Sequence, residues 1–198
     1  MIPYGVLRRL RRGIKVSAFV TLRCSFNCPY CSLKGFNGIM PMCDEISFDE
    51  WFEVLRKIEK TILIQEINIT GGEPLLRVGI AEFINKLLDS KKCVVSLYTN
   101  LCSNLADSII ANPRFRIVTT YHHRDDPVKY LELYRHYKRK HRVVLEEIDY
   151  KVLDYTDYIK PYEIQAPGVG GQTDRFAIAP DGEVFLDMQR FYKHMRYK

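Results

Sequence analysis

The sequence predicts an α/β fold, a partial (β/α)6 barrel with a short C-terminal β-hairpin extension. Three observations carry this. Strand-like segments rich in β-branched residues alternate with amphipathic segments of helical period, which means parallel strands joined by crossover helices. The length of 198 residues falls short of the roughly 250 that a closed eightfold barrel takes, and leaves room for about six units. The stretch 176–187 instead reads as two short strands around Asp181-Gly182, a pair suited to a tight turn.

The elements follow in order. KVSAFVTL (15–22) is the first strand. SFDEWFEVLRKIEK (47–60) is a helix. Ser47 and Glu50 have capping-box spacing, and Phe48, Trp51, Phe52, Leu55 and Ile58 form one apolar face. IQEINIT (64–70) is the second strand and runs into Gly-Gly-Glu-Pro. VGIAEFINKLLDS (78–90) is helical, with Ile80, Phe83, Ile84, Leu87 and Leu88 on one side. CVVSLYT (93–99) is the third strand, a short helix is expected at 104–112, and RFRIVTTY (114–121) is the fourth strand. The segment 125–140 has an acidic start, an early proline and cations at its end, all of which suit a helix. RVVLEEI (142–148) is the fifth strand. YIKPYEIQ (158–165) is the sixth, with Pro161 pointing to an edge position or a late start. There is no internal repeat or low-complexity linker, so residues 1–198 are expected to be one domain, with its core over about 15–165 and the extension over about 166–198.

Composition bounds the setting. A hydrophobic share of 46% with 27% charged residues is that of a soluble globular domain. There is no apolar run long enough to span a bilayer, so no membrane partner is expected. The N-terminus lacks the apolar core of a secretory signal, and a cytoplasmic location with reduced thiols is the expectation. The net charge is +6, and four arginines and one lysine fall between Arg8 and Lys15. That run could meet nucleic acid, anionic lipid or an acidic partner, but its first reading is a helix whose leucines pack and whose arginines face water.

Half of the six cysteines sit in CSFNCPYC, at Cys24, Cys28 and Cys31, directly after the first strand. Three thiolates suit a soft metal. A structural zinc site takes four ligands, and neither Cys43 nor a histidine stands at conventional spacing from the triplet. A [4Fe–4S] cube ordinarily takes one cysteine per iron, so three would leave one iron open to a nitrogen and oxygen ligand. Cys43, Cys93 and Cys102 are widely spaced and read as ordinary buried or partly buried thiols.

The C-x3-C-x2-C triplet, Tyr30 just before its third cysteine, and TGGEP at 70–74 after the next strand together resemble the radical S-adenosylmethionine (radical SAM) superfamily. The resemblance covers about residues 15–165. It implies a [4Fe–4S] cluster on Cys24, Cys28 and Cys31, with S-adenosylmethionine (SAM) chelating the open iron. It implies reductive cleavage of SAM to methionine and a 5′-deoxyadenosyl radical that takes hydrogen from a substrate. Carried over by position, Gly71, Gly72 and Glu73 would hold the SAM amino group, Pro74 would set the turn, and Tyr30 would lie near adenine. Asn100 opens the loop where the family often has Thr-Asn-Gly, although Leu101 stands here in place of the glycine. Thr119, Tyr121, His122 and Gln165 are expected at strand ends, contacting the ribose or carboxylate.

The implied partners are SAM, an unidentified substrate (peptide, nucleotide or sugar) and a reducing donor such as flavodoxin or ferredoxin. The tail resembles the hairpin that opens an auxiliary-cluster extension, but it has no cysteine after Cys102, so no second cluster is expected there and its removal is expected to spare the first. Two other classes share these motifs: an activase that installs a glycyl radical on a partner enzyme, and a non-catalytic iron–sulfur or SAM-binding protein.

Overall fold

The computed structural model describes residues 13–28, 31, 33, 43–101, 103, 105–120, 127–146, 175–185, 190–192 and 195. The strands are β1 (Ile14–Thr21), β2 (Ile64–Gly71), β3 (Val94–Thr99), β4 (Phe115–Thr120), β5 (Arg142–Glu146), β6 (Arg175–Ile178) and β7 (Val184–Phe185). The helices are α1 (Phe48–Glu59), α2 (Ile80–Ser90) and α3 (Pro127–Lys138). The strands make one sheet in the order β5-β4-β3-β2-β1-β6-β7, and among the described residues it is not closed. Every pairing from β5 across to β6 is parallel, and β6 with β7 is antiparallel.

α1 forms where Ser47 and Glu50 cap it. The Glu50 N–H donates to Ser47 Oγ at 3.2 Å, and the Ser47 N–H donates to Glu50 Oε2 at 2.7 Å. Trp51 and Leu55 are buried in the main core, and Phe48 stacks on Phe83 of α2 at 4.4 Å. One face of the sheet supplies Val16, Ala18, Val20, Ile67, Ile69, Val95, Leu97, Phe115 and Ile117 to the main core beneath the three helices. Because side chains alternate along a strand, the opposite face carries Ser17, Glu66, Asn68, Ser96 and Arg116. That face is polar and internally paired: Glu66 accepts from Ser96 Oγ at 2.9 Å, pairs with Lys15 at 3.0 Å and also receives Arg116.

Two expectations change. The helix expected at 104–112 is a single 3₁₀ turn over Leu105–Ser108; Asn112-Pro113 bars helix at 112 but does not account for its end at Ser108. The C-terminal hairpin is more than an appended cap. β6 pairs along β1 from Lys15↔Arg175 to Ala18↔Ile178, so it is a strand of the main sheet. Phe19, Leu22 and Leu33 form a second core with Ala177, Ala179, Phe185, Phe191 and Met195, and Cys31 and Cys43 pack against it. The turn itself forms as expected, with Gly182 at φ 83° and the Gly182 N–H donating to Ala179 at 2.9 Å. The expected strand at 158–165 lies outside the described residues. No described helix is long and apolar enough to cross a membrane.

Candidate active site

Parallel sheets build sites at the carboxyl ends of their strands, and the C-terminal ends of β1, β2 and β3 carry the cysteine triplet, Gly-Gly-Glu-Pro and Thr99-Asn100. The first two are joined by backbone. The Gly72 N–H donates to the Thr21 carbonyl at 2.8 Å, and the Glu73 N–H donates to that of Arg23 at 2.7 Å. The closeness explains the glycines. A Cβ on Gly71, at φ +144°, would lie 2.0 Å from the Thr21 oxygen, and one on Gly72 would lie 2.3 Å from the Arg23 oxygen and 2.6 Å from that of Leu22. Only glycine lets the end of β1, which leads into Cys24, lie this near the β2 turn.

Glu73 is buried, 1% exposed. Its carboxylate accepts from the Leu75 N–H at 2.9 Å, the Thr99 hydroxyl at 2.7 Å and the Asn100 N–H at 2.7 Å. It therefore ties the β2 turn to the end of β3. Burial pushes its pKa up, and the three donors oppose that push. Pro74 opens a 3₁₀ turn over Pro74–Leu76. Beyond Asn100, Leu101 takes a left-handed backbone at φ 58° and still buries its side chain in the main core. The turn keeps the shape that glycine favours, at a cost of about 1–2 kcal/mol.

Cys28 is buried, and Cys24 and Cys31 are partly so. The Cys31 N–H donates to the Cys28 carbonyl at 3.2 Å, and the Phe26 N–H donates to Cys24 Sγ at 3.4 Å. Burial pushes the Cys24 thiol up and the Phe26 N–H pulls it down, while the charges of Glu73, Cys31 and Cys28 add to the upward push. Three thiols and a buried carboxyl thus share one neighbourhood, which favours a cationic or metallic guest. Among the described residues no three His, Cys, Asp or Glu side chains converge as ligands of a single ion. A cube that binds each cysteine through a different iron asks for no such point. The donor set fits that cluster.

Other expected residues fall differently. Thr119 is turned away from the polar face: its hydroxyl stands 3.3 Å from that of Tyr130 on α3, and the residue is 1% exposed. Its place in the alternation of β4, in step with Phe115 and Ile117, sends it into the helix layer, so its expected role as a SAM contact does not fit. Tyr30, Tyr121, His122, Gln165 and Cys102 lie outside the described residues. Cys93 is buried in the core, and burial with the charge of Glu59 pushes its thiol up to about 11. Sequence reasoning placed Thr99 within Thr99-Asn100 at a strand end but missed it as a partner of Glu73, and it missed Glu45 and Arg77, which belong to no motif that it used.

The radical SAM superfamily model matches residues 19–175. Among curated proteins, a probable GTP 3′,8-cyclase of Methanopyrus kandleri is 38% identical over 94 residues, covering 48% of this chain and 28% of that protein. One of Methanocaldococcus jannaschii is 31% identical over 100 residues, covering 50% and 32%. The chain thus spans less than a third of the length of either relative. Among solved structures, BtrN in complex with AdoMet and 2-DOIA aligns at a TM-score of 0.64 with 19% identity, covering 92% of this chain and 76% of that one. Streptococcus suis SuiB bound to precursor peptide SuiA aligns at 0.55 with 13% identity, covering 78% and 39%. These likenesses share the open α/β sheet. With its triplet and Gly-Gly-Glu-Pro at neighbouring strand ends, and a family match over most of its length, this chain belongs to the radical SAM superfamily.

Proposed function

We propose that this chain is a radical SAM enzyme that holds a [4Fe–4S] cluster on Cys24, Cys28 and Cys31 and presents SAM to it from the β2 turn. When bound, that pair supplies reductive cleavage of SAM and a 5′-deoxyadenosyl radical for hydrogen abstraction from the substrate. The observation that carries this is the backbone joining of the Gly-Gly-Glu-Pro turn to the segment that leads into Cys24, with the Gly72 N–H on the Thr21 carbonyl at 2.8 Å and the Glu73 N–H on that of Arg23 at 2.7 Å. Gly71 and Gly72 keep the turn against the base of the cysteine loop, and Glu73 sets its distance from Asn100. Tyr30, Tyr121, His122 and Gln165 are proposed as further SAM contacts. Curated relatives named GTP 3′,8-cyclase support a nucleotide as substrate over a peptide or sugar. A donor such as flavodoxin or ferredoxin would supply the electron.

The test is deoxyadenosine formation by anaerobically reconstituted, dithionite-reduced protein given SAM, with Cys28→Ala alongside. The wild type is expected to form deoxyadenosine, and Cys28→Ala is expected to lose both the iron and the product. Full iron loading and normal turnover in Cys28→Ala would overturn the ligand assignment.

A further inference from the structure

The excursion that carries all three cysteines leaves the sheet at the end of β1 and returns through Cys43–Ser47 into α1. Its two limbs are joined at the base. Arg23 Nη2 stands 2.9 Å from Glu45 Oε2, and its Nε donates to Glu45 Oε1 at 3.2 Å. The Thr21 hydroxyl donates to the same carboxylate at 2.5 Å. Arg77 closes the base from the third side. Its Nη1 donates to the Val20 carbonyl of the outgoing limb at 2.5 Å, and its Nη2 donates to the Ile46 carbonyl of the returning limb. Its Nε lies 3.9 Å from Glu45 Oε2, and its guanidinium stands 4.1 Å over the Phe48 ring. Arg77 is only 6% exposed, and its own N–H donates to the Pro74 carbonyl at 3.0 Å.

One planar fork of donors therefore meets the start of the cysteine loop and its end, while the backbone N–H of the same residue meets the Gly-Gly-Glu-Pro turn. Lysine offers a single point charge and cannot span the two carbonyls in this way. Arg77 and Glu45 touch none of the thiols in the described contacts, so any effect on them passes through the backbone limbs.

We propose that Arg77 and Glu45 form a clamp that sets the distance between the thiols and the Gly71–Gly72–Glu73 turn, as positioning residues for the cluster and for SAM. This rests on the radical SAM reading above. An ion pair needed only for folding would lower the unfolding midpoint and leave the folded protein's site unchanged. A positioning pair changes the site in protein that remains folded.

The experiment uses the full chain, reconstituted with iron and sulfide, as wild type, Arg77→Gln, Arg77→Lys and Glu45→Gln. Arg56→Gln, which breaks the exposed pair with Glu53, is the control. Circular dichroism establishes folding. The readouts are the rate of iron loss to a chelator, the dissociation constant for SAM, and the change in the reduced cluster's electron paramagnetic resonance signal on adding SAM. Arg77→Gln is expected to lose iron and to weaken SAM binding by roughly 10–100-fold, the range for groups that orient metal ligands. Glu45→Gln is expected to move in the same direction by less, Arg77→Lys to recover part of the loss, and Arg56→Gln to match wild type. If Arg77→Gln fails to fold, Glu45→Gln decides. Folded variants with wild-type iron release, SAM affinity and SAM-dependent signal would overturn the clamp alone. A wild type that holds no iron through its cysteines would overturn the radical SAM reading, and the clamp with it.

Discussion

Gly72→Ala is the sharpest test of how the rim is built. The added Cβ would meet the Arg23 and Leu22 carbonyl oxygens at 2.3 and 2.6 Å, both backbone atoms that cannot swing aside. Reaching ordinary contact at 3.4 Å requires the two segments to part by about 1 Å. The bonds from Gly72 to Thr21 and from Glu73 to Arg23, at 2.8 and 2.7 Å, would then stretch to about 3.7–3.9 Å, past the limit of a hydrogen bond. Each lost bond that leaves its donor unsatisfied costs about 1–3 kcal/mol. For the two together a loss of about 2–6 kcal/mol is expected, a large share of the roughly 5–15 kcal/mol that stabilises a domain. The assay is guanidinium unfolding of the apo-chain, followed by SAM binding to reconstituted protein. Stability should fall by that amount, and SAM affinity should fall in protein that stays folded, because Arg23 adjoins Cys24. A change below about 0.5 kcal/mol with wild-type SAM affinity would refute the close approach, since that is the range of an unconstrained surface site.

Two further predictions concern the rest of the fold. Phe191 is fully buried and stacks on Phe19 of β1 at 4.0 Å, so Phe191→Ala should cost about 3–5 kcal/mol in denaturant unfolding; a loss under 1 kcal/mol would show that the tail is a detachable cap. His141 is buried against Phe115, and burial with the charge of Lys140 pushes its imidazole below the ordinary value. The unfolded chain therefore binds the proton first, and stability should fall as pH drops below about 6.5 toward the folded-state value. His141→Leu should flatten that slope, and an unchanged slope between pH 7 and 5 would sink the assignment.

The strands and helices over Ile14–Glu146 follow patterns written locally in the chain. Ser47 and Glu50 cap their own helix, and the β-branched runs of β1 to β4 end within two residues of where alternation and turn residues place them. The cysteine triplet and Gly-Gly-Glu-Pro were legible for the same reason, since their spacing is itself the motif. Contacts between distant segments were not. Nothing near Arg77 in sequence announces Glu45 or Val20. Nothing in the tail says that β6 pairs with β1 rather than standing apart, because a short apolar strand carries no mark of its partner. The alternation of β4 could have warned that Thr119 faces the helices, but only once the buried face of the sheet was known. The chemistry of the site therefore resides in short local patterns, whereas the spacing of its parts depends on backbone packing between β1 and β2 and on one buried guanidinium. Both exist only when residues more than thirty positions apart in the sequence are brought into contact.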